Sequence, residues 1–282
     1  MIRLAVRVER ERAEIVLAEL LSLAPAGVEE VAVDPDVVEY AVYGAPGELP
    51  ALPDLTAAAG DALVEVRTSE VADDWAERWR SFHRPLVVGN RLAVRPPWEP
   101  PVGAQVELVI DPGQAFGTGA HATTRLCLEL MLELASADDR PPRGPFLDLG
   151  CGSGVLAIAA ARLGWDAVAA LDYDPASVEA AIDNARVNGV AIAVRRHDLR
   201  TEPVASAPMV AANLLRPLLL TWASRLAASS APAAAVPETL IASGLLVAEA
   251  DEVSGAFAAL GLVEAARRES GEWSALLLER GG

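Results

Sequence analysis

The chain has 282 residues, more than one average domain, and its formal charge of −17 with a pI near 4.6 is the wrong field for gripping a nucleic-acid backbone, so no direct DNA binding is expected. All 23 residues of the Lys/Arg class are arginine, which excludes Schiff-base lysine chemistry and a phosphate-loop lysine; Cys127, Cys151 and three scattered histidines lack disulfide or metal-ligand spacing, so no metal is expected. No apolar run reaches the roughly eighteen residues of a membrane span, and MIRLAVRVERERAE has no apolar signal core, so a cytoplasmic monomer without a membrane segment is expected.

Residues Ile2 to Val8 alternate apolar and charged as a half-buried strand does. Glu11 to Leu23 reads as an amphipathic helix, and Val28 to Val33, Val37 to Val42 and Ala62 to Arg67 as three further strands. Together they predict a small α+β module of ferredoxin-like type over residues 1–68. It holds thirteen acids against five arginines, which serves either as a solvated acidic face or as a docking surface for a basic partner. Asp73 to Phe82, DDWAERWRSF, places Trp75 and Trp79 four apart on one helical face and reads as a connector, giving a linker over residues 69–82. RPPWEPP, Arg95 to Pro101, resists regular structure and marks the way into the second domain, residues 83–282.

Val106 to Asp111 is a strand followed by the glycine-rich DPGQAFGTGAHATT, with Thr123 or Thr124 expected to cap the helix that follows. His121 is the one histidine of that loop. Phe146 to Leu149 is then the central strand, running into Gly150, Gly152 and Gly154 and an alanine-rich helix; the glycines let the backbone turn tightly and approach a ligand. Ala167 to Leu171 is the next strand, ending in Asp172, with Asp174 as cap and Pro175 as first residue of the helix through Val187. Val190 to Arg195, Met209 to Ala212 and Thr239 to Ser243 are further strands, the second ending at Asn213. Leu218 to Ala228 and Val247 to Leu260 are helices, and Leu262 to Arg267 pairs with Trp273 to Glu279. Strands alternating with helices predict a doubly wound, Rossmann-like α/β sandwich.

In such a sheet a ligand sits beyond the carboxyl ends of the strands where their order reverses. Asp172, eighteen residues after Gly154, is placed to accept both hydroxyls of an adenosyl ribose. A dinucleotide site wants glycine or alanine at position 155, which here is Val155. The pattern Asp148-x-Gly150-x-Gly152-x-Gly154 therefore suits S-adenosylmethionine better, with a nicotinamide cofactor and a turn without ligand as alternatives. Asn213, across the crevice, has an amide that can accept a hydrogen bond from a nucleophilic amine and aim its lone pair.

At DPGQAFGTGAHATT, LDLGCGSGVLAIAA, LDYDP, ANLL and GEWSALLL the sequence resembles the bacterial ribosomal protein L11 methyltransferases, from Asp73 to the end. Ala122 and the stretch Ala233 to Pro237 depart from that family's usual proline and Pro-Gly-Gly turn. The resemblance implies cofactor contacts from Thr124, Gly150, Asp172 and Asn213, with Gly152 and the loop residues Phe116 and Gly117 also counted as cofactor-binding. It further implies methyl transfer from S-adenosylmethionine to lysine or amino-terminal amines of the basic protein L11, recognised by the small first domain. Asn213 is the expected catalytic residue, and His121 the one candidate for a general base. The alternative is a methyltransferase acting on another protein or on a small molecule.

Overall fold

A computed structural model describes residues 2–13, 28–32, 36–44, 62–70, 84–111, 121–136, 144–203, 205–229 and 236–281, with residues 16, 20 and 49 between. It divides into two compact units, Met1–Phe82 and His83–Gly282. In the first, β1 (Ile2–Glu9), β2 (Glu29–Ala32), β3 (Val37–Gly44) and β4 (Leu63–Glu70) form an antiparallel sheet in the order β2-β3-β1-β4, the order of a ferredoxin-like module. Leu4, Val6 and Val8 with Val38 and Tyr40 line one face and pack with the helical residues Ala13, Val16 and Leu20. On the other face the buried Glu39 accepts from Arg3 at 2.6 Å and Arg7 at 2.7 Å, and these two guanidinium groups hold its carboxyl below the usual range. Glu65 on the same sheet is likewise paired, with Arg7 at 3.3 Å and Arg67 at 2.6 Å. Most of the helix expected over Glu11 to Leu23, and the connector Asp73 to Phe82, lie outside the described residues.

The second unit opens with two strands that the sequence reading passed over, ahead of the strand expected from Val106. β5 (Leu86–Val88) and β6 (Leu92–Arg95) form a hairpin, and β7 (Val106–Val109) pairs parallel to β6. The unit therefore begins before the proline-rich RPPWEPP, whose Arg95 closes β6 and donates to the Glu99 carbonyl at 2.8 Å. Short strands of three and four residues carry too few alternations for periodicity to mark them.

The main sheet has seven strands: β8 (Pro145–Leu149), β9 (Asp166–Asp172), β10 (Ala193–Arg196), β11 (Met209–Asn213), β12 (Thr239–Leu246), β13 (Leu262–Ser270) and β14 (Trp273–Arg280). Their order is β10-β9-β8-β11-β12-β14-β13, with β14 antiparallel to both neighbours. One face is covered by α1 (Ala122–Leu134), α2 (Val155–Leu163) and α3 (Pro175–Val187), the other by α4 (Arg216–Ala227) and α5 (Ala250–Ala258). This is the expected three-layer α/β sandwich. Of the bounds that differ from the sequence reading, three bear on how the helices meet the sheet. β10 starts at Ala193 because the Val190 N–H returns to the Ala185 carbonyl and closes α3. The helix expected from Val247 opens as a 3-10 turn, Val247–Glu249, before α5. α4 starts at Arg216, with Pro217 in its first turn, where a missing N–H costs nothing. Among the described residues no helix is long and apolar enough to cross a membrane.

Candidate active site

From β8 the chain builds β9 and β10 to one side, then returns to build β11 and β12 on the other, so the carboxyl ends of β8 and β11 flank the switch point. The glycine turn leaves β8 there, with Gly150, Gly152 and Gly154 at φ values of 77°, 51° and 78°. The N–H groups of Gly150 and Cys151 both donate to the Leu171 carbonyl, at 2.8 and 3.0 Å, which pins the turn to the end of β9. Asp172 holds it from the other side. Its Oδ2 accepts from the Gly152 N–H at 2.9 Å and its Oδ1 from the Asp174 N–H at 3.0 Å, leaving each oxygen a further lone pair. Asp174 caps α3 as expected, accepting from Ala176 and Ser177, with Pro175 next.

At two of the glycines, protein packing by itself leaves no room for a side chain. A Cβ at Gly150 would lie 2.2 Å from Leu214 Cδ2, and one at Gly154 would lie 2.9 Å from the Cβ of Ala181 on α3.

Side chains alternate along a strand, and the registers Asp148 with Ala211 and Asn213 with Ser243 place Asp148, Asn213 and Ser243 on one face, under α1. Thr124 of α1 is fully buried there, and its Oγ1 accepts from Asn213 Nδ2 at 3.4 Å. Asn213 Oδ1 is buried without a hydrogen-bond partner. An orphaned acceptor of this kind in a native fold asks for a ligand donor.

Asp148, to which the sequence reading gave no role beyond opening the glycine pattern, is 1% exposed. Its Oδ2 accepts from the Ala157 N–H in the first turn of α2 at 3.0 Å, and its Oδ1 has no partner. Burial, with the Asp172 charge adding to it, pushes its carboxyl up to about 7. The signal available in the sequence was an acid inside an apolar strand, which is rare unless it is partnered.

His121, rather than Thr123 or Thr124, caps α1. Its Nδ1 accepts from the Thr123 N–H at 3.4 Å and lies 2.8 Å from Thr123 Oγ1, while the ring packs edge-on against Trp273 with centroids 4.7 Å apart. Burial lowers its pKa, so the imidazole is neutral with its proton on Nε2, a poor arrangement for taking another. Cys127 and Cys151 are free and buried; burial pushes the Cys127 thiol up to about 12 and raises that of Cys151 as well, so neither is a nucleophile. Phe116 and Gly117 lie outside the described residues.

The groups that face the turn, Asp172 and Asn213 Oδ1, are acceptors, with the buried Asp148 carboxyl beside them. One donor of the α2 amino-terminus, where a pyrophosphate would bind, is already taken by Asp148. The set fits a cationic ligand without phosphate that carries a ribose diol, which is S-adenosylmethionine.

Comparison with known proteins points the same way. Residues 51–281 match the family model described as ribosomal protein L11 methyltransferase (PrmA). The chain is 40% identical over 215 residues to the ribosomal protein L11 methyltransferase of Geobacter metallireducens, covering 74% of this chain and 67% of that one. It is 41% identical over 208 residues to that of Pelotomaculum thermopropionicum, covering 72% and 65%. The alignments thus span about two thirds of the length of these relatives. Among solved structures, a ribosomal protein L11 methylase from Lactobacillus delbrueckii subsp. bulgaricus matches with a TM-score of 0.60 and 30% identity, covering 71% of this chain and all of that one.

Proposed function

The chain belongs to the ribosomal protein L11 methyltransferase family, and on that premise we propose that it transfers methyl groups from S-adenosylmethionine to lysine ε-amines or the amino-terminal α-amine of ribosomal protein L11. The observation that carries this reading is the buried, unpartnered Asn213 Oδ1 at the end of β11, across the switch point from the glycine turn. When bound, S-adenosylmethionine supplies an electrophilic methyl group on a positively charged sulfur. The residues assigned to hold it are Gly150 and Gly152 of the turn, Asp172 through its spare lone pairs toward the ribose hydroxyls, and Thr124 and Asn213 opposite.

Asn213 Oδ1 accepts an N–H of the incoming amine and turns the nitrogen lone pair toward the methyl group. Thr124 Oγ1, by accepting from Nδ2, fixes which edge of the amide faces the amine. Orientation of this kind is worth roughly 7–11 kcal/mol of a barrier. The amine must arrive neutral, against an ordinary lysine pKa of about 10.4, and desolvation in a buried site lowers that value. Its proton passes to solvent, because the Nδ1 lone pair of His121 is committed to the α1 cap. The net charge of −17 favours encounter with a basic protein. Recognition of the protein substrate is assigned to the unit Met1–Phe82.

The test is to incubate the full chain with methyl-labelled S-adenosylmethionine and a mixture of large-subunit ribosomal proteins. Label is expected in L11. Label confined to another protein would overturn the substrate, and failure to bind the cofactor would overturn the reading as a whole.

A further inference from the structure

Asn184 on α3 and Asn188, the C-terminal cap of that helix, stand four residues apart, one helical turn, and both reach across to β7 or the chain just past it. Asn188 pairs with Val109 as a neighbouring strand would: its Oδ1 accepts from the Val109 N–H at 2.8 Å and its Nδ2 donates to the Val109 carbonyl at 2.7 Å. Asn184 does something different. Its Oδ1 accepts from the Asp111 N–H at 2.9 Å, two residues past β7, while its Nδ2 donates to the Ser153 carbonyl at 3.0 Å. Both ends of one buried amide are therefore spent, one on the chain leaving β7 and the other inside the glycine turn.

Ser153 lies between Gly152, whose N–H binds the Asp172 carboxylate, and Gly154, which caps α2 and packs on Ala181 of α3. Ala181 is one turn before Asn184 on the same helical face. The turn is thus gripped by α3 at two adjacent points, a steric one at Gly154 and a directional one at Ser153. The packing contact sets a distance; the hydrogen bond, together with that of the Gly154 N–H to the Cys151 carbonyl at 2.8 Å, sets the tilt of the peptide plane between Ser153 and Gly154. Asn184 is 3% exposed and Ser153 fully buried, so no water is at hand to replace a lost donor.

We propose that Asn184 is a positioning residue for cofactor binding: through the Ser153 carbonyl it fixes the glycine turn against Asp172, and through Asp111 it ties that geometry to β7. Asn188 ties β7 to the end of α3, through Val109 and the Asn184 carbonyl, with no bond to the glycine turn. The inference rests on the reading that the glycine turn holds S-adenosylmethionine.

The pair supplies its own control. In Asn184→Asp the acceptor for the Asp111 N–H remains, but an ionised carboxylate cannot donate to Ser153; in Asn184→Ala both ends are lost; in Asn188→Ala the tie to Val109 and the bond from Nδ2 to the Asn184 carbonyl at 2.8 Å are lost, while both bonds of the Asn184 side chain stay. Thermal midpoints and the dissociation constant of S-adenosylhomocysteine, by calorimetry at pH 8, are read for the full chain and all three variants. Both Asn184 variants should bind about tenfold or more weakly, the scale of one buried hydrogen bond lost from the turn. Asn188→Ala should lower the thermal midpoint with binding unchanged. An Asn184→Asp or Asn184→Ala protein that binds within twofold of the parent, or an Asn188→Ala protein that loses affinity equally, would overturn the proposal. A parent chain that fails to bind S-adenosylhomocysteine would instead remove the reading on which the proposal rests.

Discussion

Leu214 Cδ2 fills the space that Gly150 leaves open, 2.2 Å from where a Cβ at Gly150 would stand. The residue next to Asn213 is in this way seated directly on the glycine turn. Its main chain is gripped as well, since the Leu214 N–H donates to the Ser243 carbonyl at 2.9 Å and a Cβ at Gly244 would come within 2.5 Å of the Leu214 oxygen. The two halves of the switch point are held by one leucine and two glycines.

Gly150→Ala should therefore carry two penalties, the strain of φ 77° and the collision with Leu214. Adding Leu214→Ala should relieve the second and leave the first, about 1–2 kcal/mol. Urea denaturation of the two single variants and the double variant measures this as a coupling energy. Additive losses would show that Leu214 is not what Gly150 makes room for.

Asp148 should make the fold less stable as pH rises. Its carboxyl sits at about 7 in the folded chain against an ordinary aspartate value of 3.8. Between these values the unfolded chain has released a proton that the folded chain keeps, so stability falls through the window from roughly pH 4 to 7. Asp148→Asn keeps an acceptor for the Ala157 N–H and removes the titration. The stability of this variant relative to the parent should increase from pH 5 to pH 8 in thermal melts, and a constant difference would place the carboxyl outside that window.

His121→Asn should separate capping from proton transfer. Asparagine caps helices well, so the melting temperature should stay near that of the parent and turnover should persist, whereas His121→Ala should cost about 1 kcal/mol of stability. A loss of turnover in His121→Asn with an unchanged melt would return the imidazole to the chemistry.

Asp172 and Asn213 should fail differently. Asp172→Ala removes the partner of two backbone N–H groups as well as the proposed ribose contacts, each charge-assisted bond being worth about 1.5–3 kcal/mol, so cofactor affinity should drop at least tenfold. Asn213→Ala should lower kcat about 100-fold, the order that misplacing a reacting group costs, with a smaller effect on cofactor binding. Calorimetry and steady-state kinetics distinguish the two, and an Asn213 effect confined to binding would contradict its aiming role.

Much of this architecture is legible without coordinates, because it depends on neighbours in the chain. The acid, the bare glycines and the alanine-rich run from Phe146 onward dictate strand, turn and helix; Asp174 and Pro175 dictate the start of α3; alternation from Ile2 to Val8 dictates a strand buried on one side. Local signals misled only where two residues compete at short range, as when His121 rather than a threonine took the α1 cap, or where strands were too short to show a period, as at Leu86–Val88. The partners of the buried groups are another matter. Asn213 meets Thr124 across 89 residues, Asn184 reaches Asp111 across 73 and Ser153 across 31, and Leu214 finds Gly150 only because β8 and β11 lie side by side. No periodicity or propensity encodes such pairs. Sheet order and register decide them, since register alone determines which side chains share a face, and the packing of α1 and α3 on that face then determines which amides and carboxyls are satisfied and which, like Asn213 Oδ1, are left to a ligand.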